Sequence, residues 1–234
     1  MSLPTLQLPT YELTLPASKK KVKYRPFVVK EQKILLLAME EKKSESIMNA
    51  IGQIIDLCTF NVCKISEMIQ VDIEYLFVHI RNKSLGEGVD LVVTCPSCQT
   101  KNDVVANLET IQVIEPTEKV SNEIKLADNC WAIMNYPTLL NTLSVSDSAV
   151  EKDTVEIIAE CMQTLIVGES SYDMKDFSAK EKIDWTNNLT EIQKEMIVKF
   201  FRSVPTIIYE EEFQCGKCGE KSKIRLEGLD SFFG

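Results

Sequence analysis

Two Cys-x-x-Cys turns, Cys95-Pro96-Ser97-Cys98 and Cys215-Gly216-Lys217-Cys218, carry the clearest chemical signal in this 234-residue chain. Together they supply four thiolates, the ligand set of a closed tetrahedral zinc site in which protein fills every coordination position. Such a metal stabilises a fold and leaves no open position for a substrate. The competing chemistry for a Cys-x-x-Cys turn is thiol–disulfide exchange, but redox turns open a helix after a strand. Here Gln99-Thr100-Lys101-Asn102 and Gly219-Glu220-Lys221-Ser222 are polar and lead into strand-like residues. The expectation is one structural Zn2+ per chain, held by Cys95, Cys98, Cys215 and Cys218.

The flanks show how those cysteines are positioned. Val89 to Thr94 enters the first turn and Lys101 to Val105 leaves it; Thr206 to Phe213 enters the second and Lys221 to Leu226 leaves it. Each pair therefore sits at the tip of a β-hairpin, as in the knuckles of zinc ribbons. Cys98 and Cys215 lie more than a hundred positions apart. One ion can bind both pairs only if the chain leaves half of a ribbon and returns later as the other half. This reading divides the chain into an extended N-terminal arm or hairpin (1–29), a helical region (30–86), a first ribbon hairpin (87–114), an α-rich insertion (115–203), and a second hairpin with a tail (204–234). The fold class is α+β: helical bundle portions, short antiparallel strands and a split zinc ribbon.

Within that frame, Tyr11 to Leu15 reads as an edge strand and Tyr24 to Val29 as the strand returning beside it. Helices are expected from Lys30, from a cap at Ser44 or Ser46 through Cys58, and after Asp72 along Ile73, Leu76, Phe77 and Ile80, with Gly86 and Gly88 ending the last. Further strands are expected at 109–114, 123–126 and 130–134. Helical signals follow Pro137 over 138–143, and again from a cap at Ser146 or Asp147 over Ala149 to Ile166. Ser178 and Glu181 have capping-box spacing, and a last helix follows Thr190 through Phe200.

Composition narrows the function classes. Hydrophobic residues at 44% and charged residues at 26% are ordinary for a globular chain. The apolar runs are far shorter than the roughly 20 residues of a membrane-spanning helix. The first residues lack the basic start and apolar block of a secretory signal. Cys58, Cys63, Cys130 and Cys161 fall in apolar or helical contexts, which suits a reducing compartment better than a disulfide scaffold. A formal net charge of −9 opposes general binding to phosphate backbones. The basic run from Lys19 to Arg25 reads first as a solvated strand edge. His79, the only histidine, lies among helical apolar positions and reads as packing. Glu40-Glu41 and Glu210-Glu211-Glu212 read as solvated charge, and Trp131, Trp185, Phe200 and Phe201 as core. No Gly-rich phosphate loop, nucleophile elbow, His-Glu-x-x-His helix or acidic calcium loop is present, so nothing in the residues supports an enzyme or a small-molecule substrate.

The stretch Tyr24-Arg25-Pro26-Phe27-Val28-Val29-Lys30-Glu31-Gln32-Lys33-Ile34-Leu35-Leu36-Leu37-Ala38-Met39-Glu40 resembles the opening of the T-even-like myovirus baseplate hub assembly proteins. That family begins with an extended arm, an Arg-Pro-Phe turn and a Leu-rich helix. The resemblance covers about residues 20 to 60 most specifically and extends to the two cysteine turns. It implies a non-catalytic structural or assembly role in the hub of a contractile tail baseplate, with other baseplate and tail proteins as partners. It also implies a place in the host cytoplasm during assembly and, for a member that stays in the finished particle rather than leaving after promoting assembly, in the virion tail baseplate. An extended arm can add a strand to a neighbour's sheet through Leu6, Leu8, Tyr11, Leu13 and Leu15. Arg25 and Phe27 of the Arg-Pro-Phe turn, and Phe232 with Phe233, are further candidate contacts, the phenylalanine pair either docking back or meeting a partner. Two rival classes remain: a zinc-ribbon nucleic-acid-binding or transcription-related factor, and a thiol-based enzyme.

Overall fold

The chain leaves one folded unit and later returns to it: residues 1–114 and 205–234 form the first unit and residues 115–204 the second. The structure is a computed structural model that describes residues 6–41, 43–138 and 154–227. Among these it contains six α-helices and eleven short strands, an α+β protein.

Strand β1 (Tyr11–Thr14) pairs antiparallel with β2 (Lys21–Tyr24), Tyr11 opposite Tyr24. Val22 and Tyr24 face inward while Lys21 and Lys23 face solvent, the alternation a half-buried hairpin requires. The returning strand thus occupies the basic run, not Tyr24 to Val29 as expected. The reason is local: Pro26 has no N–H for a ladder, and Val29 already opens helix α1 (Val29–Glu41). Helix α2 (Ser44–Cys58) buries Ile51, Ile54, Ile55 and Cys58 completely. Its cap position is Lys43 and makes no side-chain cap bond, so neither Ser44 nor Ser46 is the cap; the Ser46 hydroxyl donates to Glu41 at 2.6 Å instead. Helix α3 (Gln70–Leu85) buries Ile73, Leu76, Phe77 and Ile80, and stops at Gly86, whose φ of 91° only glycine adopts without strain. It begins two residues before Asp72, which frees that carboxylate to accept the Ala17 and Ser18 amides at 2.7 and 3.0 Å. The first hairpin's turn is thereby tied to the start of α3. Strands β3 (Gly88–Thr94) and β4 (Lys101–Asn107) form the second hairpin, followed by β5 (Gln112–Ile114).

Among the described residues, the second unit is a four-stranded antiparallel meander with three helices. It runs β6 (Glu123–Ala127), β7 (Cys130–Met134), helix α4 (Thr154–Cys161), β8 (Met162–Val167), β9 (Ser170–Asp173), α5 (Ala179–Thr186) and α6 (Glu191–Phe201). The sheet order is β6-β7-β8-β9. Its core joins Ile124, Leu126, Met134, Ile158, Leu165 and Phe200. The helix expected over Ala149 to Ile166 is corrected here, since it stops at Cys161 and Met162 starts a strand that pairs with β7. Thr164, Ile166 and Val167 are β-branched, and β7 offers them a complete ladder, so strand pairing wins over helix continuation. Residues 149–153, the cap at Ser146 or Asp147 and nearly all of the 138–143 segment lie outside the described residues. The Ser178–Glu181 capping box is present, and Thr190 with Gln193 forms a second one at the start of α6. Ser178→Ala is expected to cost about 1 kcal/mol, read as a lower urea midpoint with an unchanged m-value.

Returning to the first unit, β10 (Thr206–Gln214) pairs on one side with β5 and on the other with β11 (Lys221–Glu227). Glu210, Glu211 and Glu212 are exposed, as solvated charge should be. Tyr209 is fully buried in a core with Val71, Leu91, Ala106 and Leu108. That core brings the second and third hairpins together.

Candidate metal centre

The two cysteine turns are copies of one backbone form. Cys95 N–H donates to the Thr100 carbonyl and Gln99 N–H to the Cys95 carbonyl; Cys215 N–H donates to Glu220 and Gly219 N–H to Cys215, all at 2.9 Å. The residue after each second cysteine is left-handed, Gln99 at φ 56° and Gly219 at φ 74°. These constraints point the cysteine side chains of each tip toward those of the other.

The four sulfurs come together as the sequence anticipated: all lie within 4.8 Å of one another. Cys95 Sγ stands 3.7 Å from Cys218 Sγ, and Cys98 Sγ 3.6 Å from Cys215 Sγ. A tetrahedron with metal–sulfur bonds of about 2.3 Å has edges of about 3.8 Å, so these separations suit four ligands around one ion. They are far beyond the roughly 2.05 Å of a disulfide, and all four cysteines are free. Cys95 and Cys215 are buried, Cys98 is half-buried and Cys218 is exposed.

The electrostatics of the cluster suit a cation. The Cys218 and Lys217 backbone N–H groups pull the Cys215 thiol down to about 6. Thr100, through its hydroxyl and its backbone, lowers Cys98. At Cys218 the Glu220 backbone lowers the thiol, but the Cys98 sulfur, burial and the remaining sulfurs outweigh it and push the group up to about 12. Ionising the first thiols therefore penalises the next, because like charges at this range oppose each other. A divalent ion held there would offset that penalty and let all four bind as thiolates. Four sulfur donors and no oxygen or nitrogen donor suit a soft or borderline metal.

One positioning residue escaped the sequence reading. Asn102 on β4 accepts the Gly216 N–H at 3.0 Å through Oδ1, and donates to the Thr100 carbonyl at 2.9 Å. The equivalent position in the other turn is Pro96, which has no N–H to satisfy. That difference between the turns, Pro96 against Gly216, was the available signal. A second link has no local signature: the Tyr209 hydroxyl accepts the Asn107 N–H at 3.0 Å and donates to the Glu211 carboxylate.

The other singled-out residues are dispersed. Leu6 and Leu8 are exposed at 86% and 39%. Tyr11 and Leu13 are half-buried, Tyr11 with its ring 5.6 Å from that of Tyr24. Leu15 and Phe27 are buried, and the Phe27 amide is bound by the Ser84 hydroxyl at 2.9 Å. Arg25 forms a fork with the fully buried Glu31, at 3.0 and 2.9 Å. Phe232 and Phe233 lie outside the described residues. The lysines at 19, 20, 21 and 23 are exposed along the first hairpin. His79 packs edge-on against Tyr75 at 4.4 Å, and burial lowers its pKa. Burial also pushes the Cys58 thiol up to about 12, away from the thiolate form that reacts. No helix among the described residues is long and apolar enough to cross a membrane.

Against known proteins, the family described as T4 bacteriophage base plate protein matches residues 8–234. The baseplate hub assembly protein gp26 of Enterobacteria phage T4 is 23% identical over 229 residues, which cover 95% of this chain and 97% of that protein. No solved structure matches.

Proposed function

We propose, from the premise that this chain belongs to the T4 bacteriophage base plate protein family, that it is a structural or assembly component of the hub of a contractile phage tail baseplate. The family match across nearly the whole chain carries this reading. Its partners are other baseplate and tail proteins, its site of action is the assembling baseplate in the host cytoplasm and then the virion tail, and it catalyses no reaction. One Zn2+ on Cys95, Cys98, Cys215 and Cys218 closes a split zinc ribbon and stiffens the first unit. Bound there, the ion supplies cross-linking and charge neutralisation alone.

Contact with a partner falls to the leading segment. Leu6 and Leu8 are exposed just before β1, and β1 pairs only with β2 among the described residues. The outer edge of β1 is thus open to a neighbour's strand, with backbone bonds giving affinity and alternate side chains giving register. Leu15 and the Asp72-bound turn belong to the body, so the testable cut lies before β1. Deleting residues 1–9 is expected to leave melting temperature and metal content unchanged. It is also expected to abolish rescue of baseplate assembly in cells infected by a phage lacking its own copy of the protein. Rescue by the shortened chain would remove the segment from the mechanism, and failure of the intact chain to join any baseplate intermediate would remove the proposed function.

A further inference from the structure

Helix α1 (Val29–Glu41) carries an exposed apolar stripe that neither the cysteine cluster nor the leading segment uses. Its inner face buries Glu31, Leu35 and Ala38, and the helix packs against α2. On the opposite face Val29, Leu36 and Leu37 are 68%, 50% and 62% exposed, and Lys33 and Glu40 stand exposed among them. With 3.6 residues per turn, all five fall within an arc of about 100°, the width of a stripe that a helix normally turns toward a core. Contiguous apolar surface rimmed by polar groups marks an interaction site.

The two charges on the stripe identify what covers it. Within the helix, the positions three and four away from Lys33 are Val29, Lys30, Leu36 and Leu37, none of them acidic. Glu40 lies two turns further on, beyond the spacing at which helix side chains meet. Yet the placement is symmetric: Lys33 stands three residues before Leu36, and Glu40 three residues after Leu37. We propose that this face binds a second copy of the chain, α1 against α1 and antiparallel, about a twofold axis that passes between Leu36 and Leu37. Such an isologous contact gathers the four leucines into one central layer. One turn to either side, Lys33 of one copy then stands level with Glu40 of the other. A parallel pair would instead set lysine against lysine and glutamate against glutamate, so the charges select the antiparallel arrangement. One helix per copy is less than a standard interface, and association in roughly the micromolar range is expected.

Sedimentation of the full-length chain over a concentration series reads the association directly. The wild type is expected to pass from monomer to dimer, and Leu36→Gln with Leu37→Gln to stay monomeric, since glutamine keeps the helix while removing its apolar layer. Lys33→Glu and Glu40→Lys should each weaken the dimer at least tenfold, with circular dichroism melts confirming that every variant folds. Mixed together, the two single variants should associate with each other, and the double variant Lys33→Glu with Glu40→Lys should dimerise like the wild type. A wild type that stays monomeric up to millimolar concentration would overturn the proposal and leave the face to a different baseplate protein. Dimers that survive loss of both leucines, or that are indifferent to the single charge reversals, would overturn it as well.

Discussion

Cys98→Ser and Cys215→Ser, made separately, are each expected to release the same single metal ion. The wild-type chain should carry one zinc per chain by elemental analysis, and each variant less than a tenth of that. The equality is the informative part, since the two cysteines belong to hairpins far apart in sequence whose sulfurs stand 3.6 Å apart. A structural zinc contributes on the order of 10 to 16 kcal/mol of apparent binding energy at neutral pH, and that energy is folding energy where no site exists in the unfolded chain. Both variants should therefore unfold at markedly lower urea, and a chelator should bring the wild type down to meet them. Asn102→Ala should act differently, because the Gly216 N–H it satisfies is not a ligand. The ion should stay, with a loss of about 1 kcal/mol. A wild-type chain that purifies without metal and is fully folded, or a variant that keeps half of the metal, would dismiss a shared centre.

The cysteine centre could be read in the sequence because each half is local. Four-residue turns, flanking β-branched runs and polar exits fix each hairpin tip, and the two tips then need only each other. The Ser178–Glu181 box was legible for the same reason, and Thr190 with Gln193 carried an equal signal. Met162 to Val167 was not, because six mostly apolar residues following a helix continue its period as readily as they begin a strand. Only β7, contributed from some thirty residues earlier, decides between them. Lys43 shows the converse, where serines with good capping chemistry one and three residues later do not cap. Least legible were the buried acids. Asp72 and Glu31 look like ordinary first-turn helix carboxylates, and only the folded chain brings the Ala17 and Ser18 amides to one and Arg25 to the other. The Arg-Pro-Phe stretch that carries the resemblance is accordingly a structural node, with Arg25 paired and Phe27 buried.

Arg25→Ala is expected to destabilise the protein by about 3 kcal/mol or more at neutral pH, far beyond what a surface ion pair is worth. Glu31 has no exposed side-chain surface, accepts both arms of the Arg25 fork, and also accepts the Val28 N–H at 2.7 Å. Burial alone would raise its pKa, but Arg25 and the Val28 amide together hold it below the ordinary glutamate value. A carboxyl depressed in the folded state stabilises that state above the unfolded pKa of about 4.3, and the contribution is lost as pH falls through the lower folded value. Without Arg25 the sign reverses: burial dominates, the folded pKa rises, and the variant gains relative stability as acid neutralises Glu31. The gap between wild type and Arg25→Ala should thus be widest near pH 7 and narrow toward pH 4. Urea unfolding at both pH values measures it. Arg25→Met combined with Glu31→Leu should recover much of the loss, because a well-packed apolar pair needs no partner charge. A gap under 1 kcal/mol, or one that stays constant with pH, would mean that the fork is a solvent-screened contact and that the hairpin-to-helix junction is held by packing of Phe27 and Leu15 instead.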